Sequence, residues 1–286
     1  MQRLLFIINP IAGKGGNNIM ELSNELLVGV HKDYRFTERA GHAYEIAVEA
    51  VGKNYDAIVS VGGDGTLHEI AKALIDTDER LGVIPLGSGN GFARHLKIPL
   101  STKESLKHLL KAKLFKADVG KFNQSYFLTT CGFGFDAQVA ETFSKYSKRG
   151  LWTYVRSIMR DYRKYKSLEY TVRLDGKSFS RKAFILNFAN ASQYGNGAKI
   201  APNAQLDSGV LLCCVINPFK HRSVLRLVTD LMTGKLLKNP YYHQTAVKHA
   251  VIDNYTGSYH LDGEPMHMEN THVEISIKPQ SLNLLV

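Results

Sequence analysis

Ser60-Val61-Gly62-Gly63-Asp64-Gly65-Thr66-Leu67-His68-Glu69 follows the apolar run Ala57-Ile58-Val59 and precedes Ile70, Ala71, Ala73, Leu74 and Ile75. The run before it reads as a short buried strand, and the spacing after it as one face of a helix. Its glycines therefore fall where strand becomes helix. There the backbone turns sharply, brings bare N–H groups close to a phosphate chain and presents a helix N-terminus to anionic charge. Asp64 stands among them, within reach of a metal ion on such phosphates. The stretch points to a nucleoside triphosphate and a kinase-like reaction.

The same alternation extends on both sides. Residues 4–8 read as a strand, 9–18 as a glycine-rich loop and 19–30 as a helix. Residues 34–37 make a short strand, 42–51 a helix, 57–61 a strand, 67–75 a helix and 81–85 a strand before a second glycine-rich loop at 86–91. This order argues a parallel sheet covered by helices, which binds ligands at the carboxyl ends of its strands. From residue 117 the character changes to short β-rich runs at 117–119, 126–130, 168–174, 178–187, 210–216, 249–252, 259–261 and 273–277. Asp175-Gly176 and Asp262-Gly263 are turn signals between them. Helical stretches are expected at 139–166 and 223–232. The expected organisation is an α/β nucleotide-binding domain over 1–118 and a mainly antiparallel β domain over 119–286, its last few residues free to return to the first.

The chain has 286 residues, 44% of them hydrophobic, enough for one large domain or two modest ones. It holds no apolar run of about 18 residues, the length of a membrane-spanning helix. Its opening, Met1 to Pro10, reads as a first strand and not as a signal peptide. Cys131, Cys213 and Cys214 read as reduced, buried thiols of a cytosolic protein. The formal charge of +10 admits nucleotides, nucleic acid or an anionic membrane face as partners, and no nucleic-acid recognition motif accompanies it.

Two more loops belong with the first. Asn9-Pro10-Ile11-Ala12-Gly13-Lys14-Gly15-Gly16 lacks the Gly-x4-Gly-Lys-Ser/Thr spacing, so it is either a phosphate cradle with Lys14 as its cation or a plain connection. Pro85-Leu86-Gly87-Ser88-Gly89-Asn90-Gly91-Phe92-Ala93-Arg94 implies a close ligand approach at a third strand end. Three such loops at successive strand ends, one with Asp64, argue against three plain turns.

Taken in order, these motifs resemble the diacylglycerol/sphingosine lipid kinase family, over nearly the whole chain. Asn9-Pro10 with Gly13 resembles its opening motif, and Thr37-Glu38 with His42-Ala43 its adenine-nucleotide segment. Gly62 to Thr66 resembles its signature, Pro85 to Arg94 its second glycine motif, and Asp118 its aspartate after the domain boundary. Gly132-Phe133-Gly134-Phe135-Asp136-Ala137 and Asp262-Gly263-Glu264 resemble its later motifs. The resemblance implies a nucleotide domain akin to NAD kinases and phosphofructokinases and a β-sandwich lipid domain. It implies ATP and Mg²⁺ as cofactors and γ-phosphoryl transfer to a lipid hydroxyl. Asn9, Gly13, Lys14, Thr37, Gly62, Gly63, Gly65, Thr66, Ser88 and Asn90 would then hold the nucleotide. Asp64 would anchor the metal and Glu264 would act as base. Asp118 is a metal-network member or a domain-boundary strut, and Asp136 reads more readily as a helix N-cap ahead of residues 137–139 than as a catalytic group.

Two departures bear on the acceptor. Bacterial diacylglycerol kinases of the family usually carry Asn-Asp-Phe-Ala-Arg where this chain has Asn90-Gly91-Phe92-Ala93-Arg94. The Gly-Ser-Gly-Asn form, with His68 beside Glu69, looks more like sphingosine kinases, so a sphingoid-type acceptor gains weight against diacylglycerol. Ser208 stands where soluble members often place an Asp for a structural Mg²⁺, with Asp207 one residue early. Trp152, Val155, Met159 and Tyr162, with Arg156, Arg160, Arg163, Lys164 and Lys166, make an amphipathic basic stretch that either packs on the β domain or meets an anionic bilayer at the inner membrane face. The loop Tyr194 to Ala198 reads as lying near a ligand entrance. The alternatives are a soluble NAD-kinase-like enzyme and a non-catalytic lipid-binding protein on the same fold.

Overall fold

Leu4-Leu5-Phe6-Ile7-Ile8 is apolar at every position, as a strand covered on both faces must be, and it forms β1 (Arg3–Ile8). The computed structural model describes residues 2–13, 18–144 and 162–286. After β1 come α1 (Ile19–Leu26), β2 (His31–Phe36), α2 (His42–Ala50), β3 (Ala57–Gly62), α3 (Asp64–Leu74), β4 (Arg80–Pro85), α4 (Gly91–His95) and α5 (Thr102–Lys111). β5 (Leu114–Phe122), β6 (Ser125–Phe127), β7 (Thr130–Gly134), α6 (Phe135–Ser144), β8 (Leu168–Leu174), β9 (Lys177–Ala183), β10 (Ile185–Ala189) and β11 (Leu211–Ile216) follow. The chain closes with α7 (Val224–Thr233), β12 (Tyr242–Val247), β13 (His249–Leu261) and β14 (Glu264–Leu285).

The residues form two compact units, one of Met1–Asp118 with Pro279–Val286 and one of Val119–Lys278. In the first, β4, β3, β1 and β2 run parallel in that order, and the end of β14 joins β4 in parallel through Asn283 and Leu284. Phe6, Val59, Val61, Ile84, Leu106 and Leu285 pack into one apolar core. Each βα connection leaves the carboxyl end of this sheet, so the three glycine loops emerge on one edge.

In the second unit β12, β11, β10, β7, β13 and β14 are antiparallel neighbours, with β8 and β9 extending from β13. Their inward faces bury Phe133, Phe188, Ile252 and Ile275, and Phe127 of β6 joins the same cluster. A second cluster, with Phe135, Ile200, Leu227 and Tyr242, lies under α6 and α7. The two Asp-Gly turns join β8 to β9 and β13 to β14. Their φ values of 45° and 83°, and of 51° and 86°, are the type I′ hairpin geometry.

Several boundaries differ from expectation. Residues 249–252 and 259–261 belong to one strand, β13, whose register shifts around Tyr255 and breaks the alternation. The run 178–187 is two strands, because the chain turns at Phe184. α5 and β12 lie where no element is expected. Of the expected helix 139–166, residues 139–144 belong to α6, residues 145–161 lie outside the described residues, and residues 162–164 form a turn. Tyr162 is buried beneath α7, which favours packing for that residue. Trp152, Val155, Arg156, Met159 and Arg160 lie outside the described residues, as does Lys14. All three cysteines are free and buried, and burial pushes the Cys214 thiol up to about 12, so it stays protonated.

Candidate active site

In the first unit the three glycine loops touch one another. Gly63 is the N-cap of α3, which leaves the amides of its first turn without helical partners. Gly87 lies back to back with Gly63: a Cβ on Gly87 would sit 2.7 Å from the Gly63 Cα and 2.8 Å from Asn90 Oδ1. No larger residue fits at Gly87, and a Cβ on Gly63 would be tight, 3.3 Å from the Gly87 Cα. Gly13 presses against the Leu86 carbonyl, and Asn9 Nδ2 donates to Thr66 Oγ1 at 3.2 Å. The Asp64 carboxylate accepts the Gly91 amide at 3.2 Å and the Phe92 amide at 3.4 Å. Asn90, buried with φ 48°, donates from Nδ2 to the Gly87 carbonyl at 2.7 Å, while Ser88 beside it is exposed.

A fourth segment joins them. Thr37 is buried at the end of β2, its amide bonded to the Ile8 carbonyl. Glu69, one turn along α3, accepts the Gly41 amide at 2.9 Å and the Ala43 amide at 3.1 Å. It thereby fixes the start of α2 and the Thr37–His42 loop before it. Sequence reasoning assigned Glu69 no such role, since its partners lie 26 and 28 residues away.

This edge offers the first-turn amides of α3, small backbone and the Asp64 carboxylate. A Mg²⁺ ion is commonly held by one or two carboxylates together with substrate phosphates. Asp64 suits that mode by its place, a carboxylate in the first turn of α3 where the three loops meet. Among the described residues no group of three His, Cys, Asp or Glu side chains could hold a metal alone. Asp118 is buried and accepts the Gln280 amide at 2.8 Å, a contact that favours the strut among its two readings. Ser208 turns its hydroxyl to the Gln205 and Val210 carbonyls, 3.0 and 3.2 Å away.

In the second unit, Glu264 opens β14 directly after the Asp262-Gly263 turn and is exposed. The turn is tightly fixed. The Asp262 carboxylate accepts the amides of Leu128 and Thr129, both at 2.7 Å, the Thr130 amide at 3.0 Å and the Thr129 hydroxyl. The Gly263 amide donates to Nδ1 of buried His260 at 3.3 Å. That leaves the imidazole proton on Nε2, which faces Asp136 Oδ2 at 3.3 Å. Asn187 Nδ2 and the Tyr194 hydroxyl donate to the same oxygen at 3.0 and 3.1 Å.

Asp136 Oδ1 accepts the Ala137 amide in the first turn of α6 at 2.9 Å, so its side chain serves the helix start as well as this cluster. Phe135 already begins α6, and the Asp136 side chain is the centre of a buried polar cluster. Gly132 makes room for it, since a Cβ there would fall 2.1 Å from Asp136 Oδ2. Asp136 and Tyr194 also form the polar end of an otherwise apolar cleft, lined by Phe135, Phe184, Ile200 and Leu231 among others. An apolar cleft with a few convergent polar groups is the usual form of a small-molecule site. Tyr194 here meets the expectation that its loop borders a ligand entrance only as far as this lining goes. No helix of the described residues is long and apolar enough to cross a membrane.

Comparison with known proteins gives a consistent result. Residues 3–122 match the diacylglycerol kinase catalytic domain, and residues 129–286 match the YegS C-terminal NAD kinase beta sandwich-like domain. The chain is 26% identical over 277 residues to a diacylglycerol kinase of Staphylococcus saprophyticus, covering 92% of this chain and 89% of that protein. It is 29% identical over 272 residues to one of Staphylococcus aureus, covering 92% and 86%. The crystal structure of a diacylglycerol kinase from Bacillus anthracis Sterne superposes with a TM-score of 0.77 at 21% identity, covering 99% of this chain and 96% of that one. A second structure from the same organism reaches 0.83 at 23% identity. These two structures establish the likeness of fold.

Proposed function

The chain belongs to the diacylglycerol kinase family and is an ATP-dependent lipid kinase, and we propose that its acceptor is a diacylglycerol or sphingoid-type lipid alcohol. The observation that carries the reading is the convergence of three glycine loops and Asp64 at the N-terminus of α3.

We assign the nucleotide to that edge. The α3 amides, Asn9, Thr66 and Asn90 would position the phosphates, and Thr37 and the loop fixed by Glu69 would bound the nucleoside. Mg²⁺, held by Asp64 and the phosphates, would neutralise the charge that builds on the transferring group. Glu264 would take the proton of the acceptor hydroxyl. The acceptor oxygen then bonds to the γ-phosphorus while the bond from that phosphorus to the β–γ bridging oxygen breaks, and ADP leaves. The apolar cleft beside α7 would take part of the lipid's hydrocarbon. Gly91 contributes an amide to Asp64 and no side chain, so the acidic group usual at that position is missing from the hydrogen-bond set. That absence supports including a sphingoid acceptor.

The test is transfer of label from γ-labelled ATP, with Mg²⁺, to diacylglycerol, a sphingoid base, ceramide and a polyprenol in mixed micelles, with NAD as soluble control. Label in diacylglycerol or the sphingoid base supports the proposal. Label only in ceramide, the polyprenol or NAD overturns the acceptor assignment.

A further inference from the structure

We infer that the outer face of α7 docks on an anionic bilayer surface, a proposal that rests on the lipid-kinase reading. α7 is apolar on two sides. Leu227, Val228 and Leu231 turn inward and line the cleft. Leu225 points outward and is 70% exposed, the most exposed large hydrophobic side chain among the described residues of its unit. Thr229 and Thr233 follow it at four-residue steps and so share its face. Their hydroxyls donate to the backbone carbonyls of Leu225 and Thr229, each at 2.8 Å. Satisfied inside the helix, they need no hydrogen bond from water and leave their methyl groups outward.

Cations surround this face. Lys220, Arg222, Arg226, Lys235 and Lys238 are exposed, and Asp230 is the one acid between residues 217 and 240. Asp230 is turned to its own neighbours, accepting Asn239 Nδ2 at 2.7 Å with Arg226 Nε at 3.6 Å. An apolar centre inside a cationic rim matches an anionic leaflet, where each Lys or Arg near the surface adds about fivefold to partition. The same charge argues against a second copy of the chain, because a two-fold contact would set this rim against itself. With α7 on the surface, only one helix, about 10 Å across, separates the leaflet from the cleft.

The experiment is flotation of the full chain with phosphatidylcholine vesicles, with and without phosphatidylglycerol, for wild type and two variants. The variants are Leu225→Glu and the pair Arg222→Glu with Arg226→Glu. Wild type should float with the anionic vesicles, Leu225→Glu about tenfold less, and the charge-reversed pair at least about 25-fold less. As a control, Arg181→Glu with Lys182→Glu reverses two exposed cations on β9 and should float like wild type. Phosphorylation of lipid in neutral detergent micelles should stay within about twofold in every variant, which also reports that each is folded. Equal flotation of wild type and the α7 variants, an equal loss in the β9 control, or no flotation of wild type overturns the docking. Failure of wild type to phosphorylate any lipid in micelles, with the flotation pattern intact, instead overturns the lipid-kinase reading and leaves the docking standing.

Discussion

Gly132→Ala tests the buried cluster that stands behind the Glu264 turn. Gly132 does not have a left-handed φ, so alanine brings no backbone strain. Its added methyl would lie 2.1 Å from Asp136 Oδ2, 2.5 Å from His260 Nε2 and 2.7 Å from Asn187 Nδ2. None of these atoms can retreat freely. Asp136, Asn187 and His260 are all buried, and the same Asp136 oxygen already takes Asn187 and Tyr194. Overpacking of this kind costs about 1–3 kcal/mol, and a disturbed hydrogen bond to a charged group about 1.5–3 more. Together these predict a loss of about 3–5 kcal/mol, or roughly 10 °C in melting temperature for a unit of this size. Gly176→Ala in the same unit is the control. It has open space around it and φ of 83°, so it should cost only the left-handed penalty, about 1–2 kcal/mol. Thermal melting by circular dichroism compares the two. A Gly132→Ala protein that melts within about 2 °C of wild type, or no lower than Gly176→Ala, refutes the packing argument.

Asp64→Ala should abolish lipid phosphorylation while the melting temperature stays near that of wild type; ordinary turnover by the folded variant would remove Asp64 from the site. Glu264→Gln should lower kcat by about 10²-fold or more with KM for ATP unchanged, and an unaltered kcat would rule it out as base. Glu69→Ala strips the Gly41 and Ala43 amides of their acceptor, so KM for ATP should rise more than kcat falls in initial-rate measurements. Burial lowers His95 from 6.5 to about 4, with Lys97 adding to the effect. Above 6.5 both folded and unfolded chains hold it neutral; between 6.5 and 4 only the unfolded chain takes the proton. Stability should therefore fall as pH drops through that window, by about 3 kcal/mol at most from this residue, and His95→Gln should flatten the pH dependence of denaturant midpoints there.

What could be read from the sequence follows from where the constraint lies. The glycine loops were legible because close backbone approach is written into the residue type: Gly87 must lack a side chain to pass Gly63. The Asp-Gly hairpins were legible for the same reason, since their φ values exclude most residues. β13 read as two strands because its register shift interrupts the two-residue alternation on which a strand is recognised. α5 escaped notice because its core face is only Ser105, Leu106 and Leu109, set among lysines.

The buried cluster of the second unit is a different case, because its information is long-range. Asp136 and His260 stand 124 residues apart, and Asp136 alone carries only its local signal, an acid near a helix start. Local reasoning accordingly made it a cap. One trace was available: His260 stands two residues before the Asp262-Gly263 turn signal, so both lie at the same hairpin end. The structure gives that hairpin end its meaning. Asp262 spends its carboxylate on three backbone amides and a hydroxyl, and His260 spends Nδ1 on the Gly263 amide. Two of the three polar side chains around the turn thus hold backbone, and the exposed carboxylate of Glu264 is the one we propose as base.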